Sequence, residues 1–198
     1  MARAVETADA IHAVSPREAG LFESHYPQSR GKIAVIPNGV EEDVFDHRWR
    51  GADSDYMMYA GRVEKYKRLE LAVDLARELG LRLLVVGRGP HREKLRRYAR
   101  HRGAAVELLE PQPYLDYLRL LAGARYAVNP SRQEAYSIFA AEALAMAVPT
   151  ITSSEVAENL QAEAEPFRVG LVAIKHAPIL PWNQIIPKYL ALYEDSAN

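Results

Sequence analysis

Short β-branched or apolar runs alternate along most of this chain with amphipathic helical stretches, and this alternation restricts the fold more than any other feature. It predicts a parallel sheet with helices on both faces, a doubly wound, mostly parallel, Rossmann-like α/β domain. The expected strands are Tyr56 to Ala60, Arg82 to Gly87, Ala105 to Leu109, Tyr126 to Asn129, Thr150 to Ser153 and Arg168 to Ile174. Between the first two, Leu69, Ala72, Val73, Ala76 and Leu79 recur at helical spacing, and Gly80 stands where a helix would end in the left-handed conformation. A second helix is expected from His91 to Arg102, with Leu95, Tyr98 and Ala99 facing inward. Its basic residues, Arg92, Lys94, Arg96, Arg97, Arg100 and Arg102, read as a solvated face.

Before residue 54 the character changes. IHAVS and KIAVIP read as strands flanking a helix from Pro16 to Tyr26, and a polar, aperiodic stretch follows. Two strands and a helix cannot enclose a core, so the first 40 residues are either a remnant of a preceding domain or an extension packed on the main sheet; the expected division is 1–45 as remnant and linker strand, 46–55 as a linker and 56–198 as the main domain. At 198 residues, 48% of them hydrophobic, the chain can bury one sizeable core. A net charge of −1 gives no footprint for nucleic acid, and no apolar run nears the roughly 20 residues of a membrane span. With no cysteine and no signal-like start, a cytoplasmic setting is expected, with at most peripheral association at the membrane.

Two motifs carry chemistry. AGRVEKYKR places Gly61, Arg62 and Lys67 just after the first main strand, where cations can hold a diphosphate. EAYSIFAAE sets Glu134 and Glu142 eight apart around a helix start at which Ser137 can act as cap, turning the amides of Ile138 and Phe139 toward an anion. Glu142, on the second turn, offers acceptor oxygens to sugar hydroxyls. The turn VVGRGP supplies Gly87 and Gly89 but lacks the third glycine of a dinucleotide fingerprint. His91, His101 and His176 show no metal-ligand spacing and read as surface or capping residues. A glycosidase pair of carboxylates is disfavoured, because a hydrolase has no diphosphate for Arg62 and Lys67 to neutralise.

From ADAIHAVS through IPNGV, YAGRVEKYKR, LLVVGRGP and NPSRQEAYSIFAAEALAMAVPTITS, the chain resembles the C-terminal, donor-binding half of a family 4 (group 1) glycosyltransferase of the GT-B fold. The resemblance implies a retaining enzyme that transfers sugar from a nucleotide-diphosphate sugar, UDP or GDP among the candidates, without cofactor or metal. It implies Arg62, Lys67 and Glu134 as catalytic, with Gly61, Glu142, Ser137, Ile138 and Phe139 binding the donor and Glu142 on the ribose. Base contacts would come from Leu109 to Tyr114. The acceptor domain would be absent and the isolated chain inactive, with a helix from Pro187 to Asp195 crossing back toward that domain. A split enzyme with a separate acceptor chain, or a non-catalytic nucleotide-sugar sensor, fits the same residues. The chain departs from the family pattern at Arg68 and Ala147, where glycine is usual, at Ala135-Tyr136-Ser137 after Glu134, and in SSEVAEN, where a glycine pair is common.

Overall fold

The computed structural model describes residues 2–196. An N-terminal unit runs α1 (Ala2–Thr7), β1 (Ile11–Ala13), α2 (Pro16–His25) and β2 (Ile33–Val35), and β1 and β2 pair in parallel only with each other. The main unit follows as β3 (Tyr56–Ala60), α3 (Leu69–Leu79), β4 (Arg82–Val86), α4 (Arg92–Arg102), β5 (Val106–Leu109), α5 (Tyr114–Ala122), β6 (Tyr126–Asn129), α6 (Ile138–Ala145), β7 (Thr150–Thr152), α7 (Ser154–Asn159), β8 (Glu163–Pro166) and β9 (Val172–His176), closed by α8 (Trp182–Ser196). Its seven strands lie in the order β5-β4-β3-β6-β7-β9-β8. The first five are parallel; β9 and β8 are added antiparallel. The first strand therefore sits in the middle and the order reverses between β3 and β6, which opens a crevice at the strands' carboxyl ends.

The core lies between the sheet and its helices, where Met57, Met58, Leu83, Val85, Ala127 and Val128 are fully buried against Leu69, Leu75, Leu95, Leu118 and Leu121. The expected strand from Arg168 to Ile174 requires correction. That stretch is the turn and second arm of a hairpin, because Val169 and Gly170 both have positive φ and Leu171 N donates to Arg168 O. The first arm, Glu163–Pro166, is exposed throughout and carries two glutamates, a composition that reads as loop and that also protects an open sheet edge. SSEVAEN, expected as a loop, forms α7 with Ser153 Oγ accepting from Val156 N. The basic face of α4 is also only partly solvated. Arg92 turns inward, donating to Gly87 O at 2.8 Å, Leu108 O at 3.1 Å and Glu110 Oε1 at 2.6 Å. His91, read as surface or capping, stands at the N-cap position of α4 without a side-chain cap bond, and its side chain, only 14% exposed, joins α4 to α3 through Glu70 Oε1 at 2.9 Å.

Residues 46–55 connect the two units while fastened to the main one. Val44 is buried in the core, Trp49 Nε1 donates to Ala124 O at 2.9 Å, and a Cβ on Gly51 would lie 2.2 Å from that same carbonyl. At the second crossing, Val40 and Pro181 form a β-bridge, and α8 continues to the N-terminal unit, where the Tyr189 ring meets His12 edge-on at 4.8 Å.

Four helices end in one way: a residue with positive φ, then an amide that reaches back five residues. The pairs are Gly80 with Leu81 N to Ala76 O, Gly103 with Ala104 N to Ala99 O, Ala147 with Val148 N to Ala143 O, and Gln161 with Ala162 N to Ala157 O. Only the first two use glycine. A Cβ in this conformation costs about 1 kcal/mol. Ala147→Gly, at an exposed position, is therefore expected to raise the melting temperature by about 2–4 °C. Calorimetry checks this, and a lower Tm would contradict the left-handed assignment.

Candidate functional site

The turn after β3 begins with Gly61, φ 145°, at which a Cβ would lie 2.8 Å from the Tyr59 hydroxyl. Tyr59, buried in β3, donates through that hydroxyl to Arg62 O at 3.0 Å and so fixes the bend that presents Arg62. Burial, and secondarily the charge of Glu134, push the Tyr59 phenol far above its ordinary range. Arg62 itself projects outward with its side chain 73% exposed, where it meets Glu64 at 3.3 Å and the Tyr66 hydroxyl at 3.1 Å.

Lys67 behaves differently. It closes a short 3₁₀ turn, Lys65–Lys67, and its ammonium donates to Glu134 Oε1 at 2.6 Å with both side chains mostly buried. The same ammonium lies 5.0 Å from the centroid of the Tyr66 ring. Arg68 follows in the left-handed conformation, φ 52°, so the backbone keeps the shape that glycine would favour. The other Glu134 oxygen accepts from Asn129 Nδ2 at 3.0 Å, and that amide nitrogen also lies 2.7 Å from Ser137 Oγ. Ser137 caps α6 by accepting from Ala140 N, which sets the amides of Ile138 and Phe139 in the helix's first turn, where intrahelical acceptors are lacking. The Phe139 ring packs edge-on against Tyr59 at 5.8 Å.

Glu142 stands further along α6 and is 7% exposed. Its oxygens are both engaged: Tyr114 donates to Oε1 at 2.9 Å and Tyr117 to Oε2 at 2.5 Å. Burial raises the Glu142 carboxyl above its ordinary value, the two tyrosine hydrogen bonds act against that rise, and the charge of Glu41 adds to it. Burial and the Glu142 charge likewise raise both phenols. A cleft of about 450 Å³ opens beside this cluster, outside the ends of β3, β4 and β5, with Gly61, Arg62, Arg88 and Gln112 on its rim and Tyr114 and Tyr117 in its wall.

The structure thus brings Lys67, Glu134 and Ser137 into one bonded cluster and sets Glu142 apart in a second; of the expected site residues Gly61 and Arg62 line the cleft, and Lys67, Glu134, Ser137, Ile138, Phe139 and Glu142 do not. The sequence reading missed Asn129, Tyr117, Tyr59 and Asn159, which donates to Glu134 O at 2.5 Å. Tyr114 entered it only as the end of a segment. No group of three or more His, Cys, Asp or Glu side chains gathers to hold a metal among the described residues, and none of their helices is long and apolar enough to cross a membrane.

A sheet whose order reverses beside its first strand, with a cleft at the carboxyl ends, defines a Rossmann-like domain of the kind that forms the C-terminal half of GT-B proteins. The chain belongs to the group 1 glycosyl transferases, whose family model matches residues 54–175. It is 28% identical to a D-inositol 3-phosphate glycosyltransferase of Nocardiopsis dassonvillei, a match over 96% of this chain and 56% of the relative. It is also 28% identical to the O-antigen chain mannosyltransferase C of Escherichia coli, over 76% of this chain and 43% of that one. The chain therefore spans about half the length of the curated relatives it matches. Among solved structures, a mutant of S. aureus TarM in complex with fondaparinux, alpha-GlcNAc-glycerol and UDP superposes with a TM-score of 0.68 at 13% identity, over 98% of this chain and 38% of that one. The pneumococcal O-GlcNAc transferase GtfA, in complex with UDP and GlcNAc, gives 0.63 at 16%, over 95% and 39%. At these identities the likeness is one of fold.

The raised Glu142 carboxyl has a consequence for stability. A folded pKa above the unfolded value means that Glu142 favours folding fully below about pH 4.5 and that this contribution is lost as pH rises through the raised folded value. Glu142→Gln cannot titrate. Urea unfolding of both proteins is expected to show the variant's stability relative to wild type higher at pH 7 than at pH 4.5. A difference constant with pH would remove the carboxyl as the source.

Proposed function

We propose that this chain is the donor-binding half of a retaining glycosyltransferase, which holds a nucleotide-diphosphate sugar for transfer to an acceptor hydroxyl without metal or cofactor. The observation that carries this reading is the cleft at the ends of β3, β4 and β5, with exposed Arg62 among its lining residues and joined through Tyr66 to the neighbourhood of the buried Lys67–Glu134 pair. In this reading the diphosphate lies against Arg62 and the Gly61 turn, and the amides of Ile138 and Phe139 with the α6 dipole complete its neutralisation. Departure of the diphosphate develops negative charge, so cations fixed there lower the barrier more than they tighten the ground state. Lys67 takes part while sharing its charge with Glu134, whose carboxylate faces the sugar. Solved complexes of the fold neighbours TarM and GtfA contain UDP, in keeping with a nucleotide in this crevice. The acceptor would be held by the other half of the protein, which the relatives' greater length accommodates.

Arg62→Ala provides the direct test, because this side chain is exposed and its loss leaves the fold intact. A charge-assisted contact contributes roughly 1.5 to 3 kcal/mol, so nucleoside diphosphate binding is expected to weaken about ten- to a hundredfold while nucleoside binding is unchanged. Titration calorimetry with UDP, GDP, ADP and the matching nucleosides reads both. Equal losses for the two ligand classes would count against the assignment.

The isolated chain is also expected to bind donor yet transfer no sugar. Holding the acceptor hydroxyl in line with the anomeric carbon can supply several kcal/mol of the barrier, and that positioning belongs to the other half. Incubation with radiolabelled nucleotide sugars and mixed sugar and lipid acceptors checks this. Transfer by the chain alone would overturn the half-enzyme reading, whereas transfer restored by an added acceptor half would support it.

A further inference from the structure

A carboxylate that holds the two hydroxyls of a ribose must present open acceptor positions to them, and one that is only 7% exposed has few to spare. Glu142, the residue that the family resemblance puts against the ribose, already accepts a phenol hydrogen bond on each oxygen within the chain. The two tyrosines that donate them are not equivalent. Tyr117 sits one turn into α5; it shares the cleft wall but packs its ring against the core as it donates to Oε2. Tyr114 is the first residue of α5, after a Pro113 that caps nothing with its side chain; it is 39% exposed and reaches Oε1 from the cleft wall. The two rings stack at 5.9 Å with an interplanar angle of 27°.

From this asymmetry we infer that Tyr114 is a specificity-determining residue of the donor cleft: its hydroxyl, the more exposed of the two phenols, holds Glu142 Oε1 on the side from which a ribose would have to compete for it, while Tyr117 engages the other oxygen. The inference rests on the donor-site reading. A ribonucleotide entering the cleft exchanges one hydrogen bond to Oε1 for another, releasing a phenol that water can solvate from the cleft. The exchange gains little. The ribose diol therefore adds little to affinity in this chain, and selection among nucleotides falls to the diphosphate and the base. Removing only the Tyr114 hydroxyl leaves Oε1 without its internal donor and restores the full worth of a ribose hydroxyl there. The phenylalanine ring keeps the stack on Tyr117 and the wall of the cleft.

The test compares the full chain with its Tyr114→Phe variant, both shown folded by their melting curves. Titration calorimetry uses whichever of UDP, GDP and ADP binds wild type most tightly, and the 2′,3′-dideoxy form of the same nucleotide. Wild type is expected to bind the ribo and dideoxy forms within about threefold of each other. Tyr114→Phe is expected to bind the ribo form about tenfold more tightly than wild type does, the worth of one hydrogen bond to a charged group, and the dideoxy form unchanged. The tyrosine hydroxyl and the ribose hydroxyls are then coupled in the manner of a double-mutant cycle. Ribonucleotide affinity that is unchanged or weaker in the variant, or a gain shared by the dideoxy form, would overturn the inference and leave the donor site standing. Failure of all three nucleotides to bind either protein would remove the donor-site reading and the inference with it.

Discussion

The buried ion pair between Lys67 and Glu134 fixes the geometry on which the rest of the site depends. Two opposite charges largely removed from water are tolerated only when their remaining hydrogen-bonding capacity is met, and losing one partner of such a pair costs about 3–5 kcal/mol. Here Asn129 meets the second Glu134 oxygen, and three elements together hold the pair and its loop in place. The 3₁₀ turn after β3 brings the ammonium, the end of β6 brings the Asn129 amide, and α7 brings Asn159 to the Glu134 carbonyl. Gln133, immediately before Glu134, has φ 57° and donates its amide to Glu155 Oε2 at 3.1 Å, so the loop holds a left-handed turn by a bond to the same helix.

That anchoring extends into the N-terminal unit. Ser15 caps α2 by accepting from Glu18 N, and its hydroxyl donates to Asn159 Oδ1 at 2.9 Å. Arg17 lies 3.8 Å from Glu155, the residue that holds the Gln133 amide. Both connections run from the start of α2 through α7 to the backbone around Glu134. Ser15 and Asn159 are buried, so their bonds are not exchanged with water and the link is stiff. The first forty residues, although paired in a sheet of their own, thus help to set where the Glu134 loop stands.

How much of this could be read from residues alone follows from the range of the interactions. The β3-to-β7 sheet and the α3 and α4 helices carry their own signals: apolar runs, helical spacing and glycines at the turns. The pattern around Arg62, Lys67, Glu134 and Glu142 was legible as motif and order. Left-handed backbone at Arg68 and Ala147 was visible only as a departure from glycine, because here the tertiary structure imposes the conformation on residues that do not favour it. The partners of the two glutamates gave no local signal. Tyr117 meets Glu142 from 25 residues away and Asn159 meets Glu134 from 25 residues away on another helix, and no periodicity relates such positions. The β8 arm stayed hidden for the opposite reason: an exposed, charged edge strand has the composition of a loop.

VVGRGP shows why a motif's residues and its role must be argued separately. Its glycines fall short of a dinucleotide fingerprint and have another reason to be there: a Cβ at Gly87 would lie 2.0 Å from Gly61 O and one at Gly89 would lie 2.2 Å from Val63 O. The requirement for glycine is contact between two strand-end loops. Those loops are joined by Gly61 N to Val86 O, Val63 N to Arg88 O and His91 N to Val63 O, so that the turn presenting Arg62 is laced to the turn after β4. A side chain at either glycine would drive the two apart at the point where the cleft has its rim. Arg62 is far more exposed than Lys67, but the backbone that carries it is held by Tyr59 below and by this lacing beside it. A long side chain in solvent can then serve as a positioned charge, because only its own rotamers remain to be ordered when an anion arrives.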